Sequence, residues 1–127
     1  MSLASTPIRV VVVDDHPVVR AGTVALLSTE EDLQVVGEAG DGGEAVECVL
    51  RTDPDVVLMD LRMPVLDGVG ATERLNAAGV RARIVVLTAY ETDADIVRAV
   101  AAGATGYLLK DAPADQLAEA VRQAAAG

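Results

Sequence analysis

The sequence predicts an α/β fold in which five parallel strands form one central sheet with helices on both faces. Short β-branched apolar runs alternate with segments of helical period along the whole chain, the pattern of repeated strand–helix–strand units. The run at 56–59 has no polar interruption, as a central strand covered on both sides requires. Length sets the scale: 127 residues suit one domain that buries about two thirds of its unfolded surface. Half the residues are apolar, but the only aromatics are Tyr90 and Tyr107. The core must therefore be built from Val, Leu, Ile and Ala.

The first strand is expected at 8–13. Pro17 opens a helix at 17–28, because a first-turn residue needs no amide hydrogen. A second strand follows at 34–38 and a helix at 43–52, which Asp53-Pro54 closes. The glycines at 37, 40, 42 and 43 lack dinucleotide-binding spacing and are expected to loosen a turn. Strand three runs 55–60 and helix three 68–77, with Gly79 just past its end. Strand four is placed at 83–88, helix four at 93–102 before Gly103, strand five at 105–109, and helix five at 114–125 after Pro113. On helix one, Val19, Thr23 and Leu26 share a face, which would leave Val24 exposed opposite them.

Composition excludes several classes of function. Twenty acidic against ten basic residues give a net charge of −10, which nucleic acid phosphates repel, so this segment should not itself grip DNA or RNA. The longest apolar runs fall far short of the ~20 residues that span a bilayer. Residues 1–7 lack the basic and apolar stretches of a secretory signal and read as a disordered or cloning-derived segment before a domain at 8–127. Cys48 is the single cysteine, so no intrachain disulfide forms, and a reducing cytoplasmic setting is expected.

Four strands end on chemically telling residues: Asp14-Asp15, Asp60, Thr88 and Lys110. In a parallel sheet all would lie at the carboxyl edge, where open α/β folds bind ligands. Adjacent carboxylates disfavour joint ionisation unless a cation sits between them, and Mg²⁺, or Mn²⁺ in its place, suits such oxygens. Asp60 reads as an aspartyl nucleophile that takes a phosphoryl group. Asp15, Asp60 and the backbone carbonyl of Arg62 would hold the metal, with Asp14 acting through a bound water. The Thr88 hydroxyl, next to small Ala89, would reach a phosphoryl oxygen, and Lys110 would supply positive charge. Taken singly, each has an ordinary reading: a helix-capping loop, a turn, a β-branched strand residue, an exposed strand-end lysine. Their joint occurrence in the required order argues against those readings. His16 reads as loop structure.

The segments Val-Asp-Asp-His-Pro at 13–17, Leu-Met-Asp-Leu-Arg-Met-Pro at 58–64, Asp67-Gly68, Val-Leu-Thr-Ala at 86–89 and Ala-Gly-Ala-Thr-Gly-Tyr-Leu-Leu-Lys-Asp at 102–111 together resemble the receiver domain of bacterial two-component response regulators. The likeness extends from about residue 8 to 127. The His-Pro and Gly-Tyr-Leu-Leu-Lys-Asp runs resemble the subclass fused to a C-terminal LuxR-type helix-turn-helix. That resemblance implies a flavodoxin-like strand order 2-1-3-4-5, a sensor histidine kinase as partner, and Asp60 as phospho-acceptor in a signalling domain rather than an enzyme. It also implies Tyr107 as a switch aromatic coupled to Thr88, with core packing as the alternative for its ring. Transcriptional output would come through a DNA-binding domain outside this chain, making it a fragment of a longer regulator. Dimerisation on phosphorylation, through helices one and five, is a further implication. One departure is Asp111 after Lys110, where many receivers carry a proline with a cis bond, so the isomer there stays open.

Three alternatives remain at this stage. One is a stand-alone receiver. An aspartyl-phosphate phosphatase would want Asp-x-Asp after strand one and an inserted cap, and neither is present. A nucleotide or flavin module would want a glycine-rich loop where Asp14-Asp15-His16-Pro17 stands.

Overall fold

Val10, Val11, Val12 and Val13 are fully buried, and so are Val56, Val57, Leu58 and Met59. Alternate strand residues point to opposite faces, so these two strands need cover on both sides. The computed structural model, which describes residues 6–89 and 94–127, supplies it. Its elements are β1 Ile8–Val13, α1 Pro17–Ser28, β2 Leu33–Ala39, α2 Gly42–Thr52, β3 Val56–Asp60, α3 Gly68–Ala77, β4 Arg83–Thr88, α4 Ala94–Ala102, β5 Gly106–Leu109 and α5 Ala114–Ala126. The strands pair in parallel in the order β2-β1-β3-β4-β5. Most of the expected 1–7 segment, Tyr90 and the expected first residue of helix four, Asp93, lie outside the described residues.

Two apolar layers follow from the alternation. Val11, Val13, Val57, Met59 and Val86 pack under Val49 of α2, Leu75 of α3 and Ile96 of α4. Val10, Val12, Leu58, Val85 and Leu87 pack against Leu27 of α1 and Leu117 and Val121 of α5. The helices after β1 and β3 thus lie on opposite faces. The crevice between these two strands is the topological switch point of the sheet.

Helix ends follow local chemistry. Asp41 caps α2 by accepting from the Glu44 amide at 2.8 Å, and Asp67 caps α3 by accepting from the Gly70 amide at 2.8 Å. Asp53 closes α2 in the left-handed region at φ 47°, while its carboxylate and carbonyl accept from Arg81. Arg122 of α5 donates to Asp32 and Glu30, pinning the last helix to the α1–β2 loop. That guanidinium holds the Asp32 carboxyl below the usual carboxylate range.

Two expectations require correction. Val24 is not the exposed valine of helix one, because it packs against the Leu27 layer. The apolar residues that α1 turns outward are Val18, Val19 and Leu26. Of the glycines expected to loosen a turn after strand two, only Gly40 lies in the connection to α2; Gly37 lies in β2, and Gly42 and Gly43 lie in α2. None of Gly37, Gly40, Gly42 and Gly43 has a positive φ. Gly37 lies inside β2, beside a shift in pairing register with β1, and a Cβ there would stand 2.5 Å from Cys48 Sγ. Gly42 starts α2 with its amide donating to the Leu66 carbonyl at 2.9 Å, where a Cβ would stand 2.1 Å from that oxygen. Close approach, rather than flexibility, is what Gly37 and Gly42 require.

Because the neighbour at Gly42 is backbone, Gly42→Ala must push the β3–α3 loop away from α2. The expected loss is about 1–3 kcal/mol, the usual range for overpacking. A urea midpoint within error of the parent's would show that the loop yields freely.

Candidate functional site

At the carboxyl edge, the Asp14 amide still pairs with β2, donating to the Ala39 carbonyl at 3.1 Å. The chain then turns into α1. The Asp14 carboxylate is almost fully buried, and its Oδ1 accepts the His16 amide at 2.9 Å. Arg20, one turn into α1, donates to the Asp14 carbonyl at 2.7 Å and reaches Glu38 at the end of β2. The loop bearing the acid pair is therefore tied from both sides.

Asp60 ends β3 with 1% of its surface exposed. Lys110 Nζ donates to its Oδ2 at 2.9 Å and lies 3.8 Å from Asp14 Oδ2. The other oxygen of Asp60 accepts the Arg62 amide at 3.3 Å. Lys110 reaches this point because its amide continues the β4–β5 ladder, donating to the Thr88 carbonyl at 2.8 Å. Thr88 is buried at the end of β4. The described residues contain no cis peptide bond, so the Lys110–Asp111 bond is trans.

The loop after Asp60 is built tightly. A Cβ on Gly68 would stand 2.4 Å from the Asp60 carbonyl oxygen, so only glycine lets α3 begin against that strand end. Between them, the Leu66 amide donates to the Pro64 carbonyl at 2.7 Å across Val65, whose φ is +69°. That bond closes a γ-turn of the strained hand on a β-branched residue. The Arg62 side chain pairs with Asp95 of α4.

One oxygen each from Asp14, Asp15 and Asp60 and a ring nitrogen of His16 all lie within 4.8 Å of one another. Asp15 Oδ1 is buried without a hydrogen-bond partner. It lies 3.0 Å from His16 Nδ1, close enough to attract but not aligned to bond. A buried acceptor without a donor is costly, and a divalent cation would satisfy it. The donor set, three carboxylates facing one ammonium, fits a hard oxygen-seeking ion.

The five predicted residues Asp14, Asp15, Asp60, Thr88 and Lys110 thus stand at one edge of the sheet, four of them in direct or near contact through Asp60 and Lys110 or the acid pair. Arg62 is beside them through its amide. Tyr107 is not core: it is 47% exposed on β5, bordering shallow grooves with Pro113 and Gln116 of the α5 end. Sequence reasoning missed three features. The approach of the His16 ring to both aspartates had only adjacency as a signal, the Arg20 tether had none, and the conformation of Val65 runs against its residue type.

Comparison with known proteins comes to one result. Residues 10–122 match the response regulator receiver domain family. The chain is 42% identical over 123 residues to the nitrate/nitrite response regulator protein NarP of Escherichia coli (strain K12), covering 97% of this chain and 57% of that protein. It therefore spans little more than half the length of that relative. The signal receiver domain of a NarL response regulator from Mycobacterium tuberculosis superposes with a TM-score of 0.92 at 39% identity, covering 95% of this chain and 98% of that one. The receiver domain of the sensor histidine kinase PA1611 from Pseudomonas aeruginosa PAO1, solved with a magnesium ion coordinated in its active-site cleft, superposes at 0.85 with 31% identity, covering 96% of this chain and all of that one.

Burial pushes the Asp60 carboxyl above the usual carboxylate range; the Lys110 ammonium pulls it down, and the Asp14 charge adds to the rise. A raised acid is held more comfortably protonated in the fold than out of it. Its contribution to stability is therefore full below the unfolded value and lost as pH rises through the folded value. In chelator-treated protein, Asp60→Asn should be more stable than the parent at pH 7 by on the order of 1 kcal/mol. The gain should shrink as pH falls toward 4, a trend that urea melts at several pH values will reveal. A constant difference across pH would show that Asp60 carries no burial penalty.

Proposed function

The chain belongs to the response regulator receiver domain family, and on that footing we propose that it accepts a phosphoryl group on Asp60 from a phosphohistidine of a sensor histidine kinase. The observation that carries the proposal is the buried Asp60 carboxylate at the end of β3, held by Lys110 Nζ at 2.9 Å beside the Asp14-Asp15 pair. Phosphoryl transfer asks a protein mainly for positioning and charge neutralisation. A carboxylate oxygen of Asp60 attacks phosphorus, the P–O bond forms as the P–N bond to the donor imidazole breaks, and the imidazole leaves with a proton from solvent. The Lys110 ammonium then pairs with a phosphoryl oxygen in place of the free carboxylate. The Thr88 hydroxyl donates to another. Mg²⁺ or Mn²⁺, held by Asp15, Asp60 and the Arg62 carbonyl with Asp14 acting through water, supplies the remaining neutralisation when bound.

The new dianion favours whichever state of the Thr88 loop and Tyr107 reaches it, a biased two-state equilibrium. The chain is thus a cytoplasmic signalling domain whose own phosphorylation and dephosphorylation are its only catalysis. Among the described residues no helix is long and apolar enough to cross a membrane. Transcriptional output through a DNA-binding domain beyond this segment is supported by the length of NarP, of which this chain covers 57%, and by the name of another relative, the transcriptional regulatory protein LiaR of Bacillus subtilis (strain 168), 42% identical over 120 residues. The exposed Val18, Val19 and Leu26 of α1 support a homodimer formed on phosphorylation.

With acetyl phosphate or phosphoramidate and Mg²⁺, mass analysis should show one added phosphoryl group in the parent and none in Asp60→Asn. Undiminished modification of the variant would move the acceptor elsewhere. Thr88→Ala should still accept phosphate but lose the accompanying conformational change, read from amide chemical shifts.

Mg²⁺ at a hundred times its dissociation constant should stabilise the parent by about 2.7 kcal/mol. Asp15→Asn should gain less in the same thermal melts, and an equal gain would place the cation elsewhere. Leu26→Glu should leave the phosphorylated protein monomeric by light scattering if α1 is the dimer face, whereas persistence of a dimer would exclude that face.

A further inference from the structure

We propose that His16 is a nitrogen ligand of the cation site, so that this site takes a divalent transition-metal cation, Zn²⁺, Co²⁺ or Ni²⁺, more tightly than Mg²⁺. This rests on the reading above that the acid cluster holds a divalent cation, and it concerns which cation that is. His16 Nδ1 lies 3.2 Å from Asp14 Oδ1 and 3.0 Å from Asp15 Oδ1. Zinc–ligand bonds of about 2.0–2.2 Å leave ligand atoms up to roughly 4.3 Å apart. Atoms already within 4.8 Å of one another need move only slightly to share one ion.

Two further observations point to a ligand role for the ring. Asp15 Oδ1 is buried and lacks a hydrogen-bond partner although the ring nitrogen stands beside it. A shared metal would satisfy both atoms at once. And the ring's hydrogen bond, between Nδ1 and Asp14 Oδ1 at 3.2 Å, is made to a member of the acid cluster itself. His16 occupies the cap position of α1, yet its side chain makes no capping bond, and the ring is mostly exposed. Its backbone contribution, the amide donated to Asp14 Oδ1, is one that any residue except proline can make.

The chemistry then selects the ion. Mg²⁺ takes oxygen ligands and keeps several waters, so an imidazole adds little to its affinity. Imidazole suits zinc, nickel, iron and copper, and for a given nitrogen and oxygen set affinity rises along the first-row series. With His16 bound, one coordination position that Mg²⁺ leaves to water is filled by the protein itself.

His16 is the only histidine, so in tag-free protein the ring resonances report one residue. Parent and His16→Asn, whose side chain suits the helix cap position, are titrated with Zn²⁺ and separately with Mg²⁺ by calorimetry and NMR. The parent should bind Zn²⁺ more tightly than Mg²⁺, with its ring resonances moving on Zn²⁺ only. His16→Asn should lose at least about tenfold in Zn²⁺ affinity, the lower end of what losing even an outer-shell partner costs a metal site. Its Mg²⁺ affinity should be unchanged. Unmoved ring resonances, equal Zn²⁺ affinity in the variant, or tighter binding of both cations by the variant would overturn the assignment. If the parent binds Mg²⁺ and is phosphorylated with it, such a result removes His16 alone. If the parent binds neither cation, the reading of the acid cluster as a metal site falls as well.

Discussion

Three carboxylates, Asp14, Asp15 and Asp60, share one edge of the sheet with Lys110 as the counter-charge closest to Asp60. Like charges in a buried setting resist joint ionisation, so this corner is held together by the rest of the fold. The apolar strands on which it stands make that possible. Val10 to Val13 and Val56 to Met59 are sealed on both faces, which leaves β1 and β3 little freedom to spread. The Arg20 tether and the Lys110–Thr88 ladder bond fix the two loops that carry the charges. Stability is concentrated in the sheet and its covering helices, while the edge concentrates the electrostatic penalty.

The opposite edge of the sheet is built on the reverse principle. There Arg81 meets Asp53 and Asp55, and the Arg9 amide donates to Asp55 at 2.8 Å. Opposite charges alternate, and each acid has a donor. Exposed pairs of this kind contribute little individually. Their value is in closing strand ends without leaving unmatched charge. One end of the sheet is electrostatically closed, whereas the other gathers three carboxylates beside Lys110.

The elements were legible because punctuation and period agreed: every described strand or helix boundary falls within one residue of its expected place. Pro17, Asp53-Pro54, Gly79, Gly103 and Pro113 act locally, and local signals can be read locally. The strand-end residues were legible because parallel topology sends every carboxyl end to the same edge. What escaped were contacts made across the fold. The phase of α1 depends on where the Leu27 layer lies, so Val24 could not be placed from its own helix. The reason for Gly42 is a carbonyl at Leu66, more than twenty residues away, and nothing near Gly42 announces it. Tyr107 was open between interior and surface because a half-buried edge strand suits either.

Val65 carries a consequence beyond its turn. A β-branched side chain at φ +69°, left almost entirely in solvent, gains nothing from packing that would offset its backbone strain. Glycine or asparagine would be more comfortable there. Selection for thermal endurance alone would be expected to replace this valine early, and an engineer seeking a hardier scaffold would begin at the same position. The residue is therefore a marker in evolutionary terms: its retention in a lineage argues that rigidity of the loop beside Asp60, or the apolar surface the valine presents, is under selection in its own right.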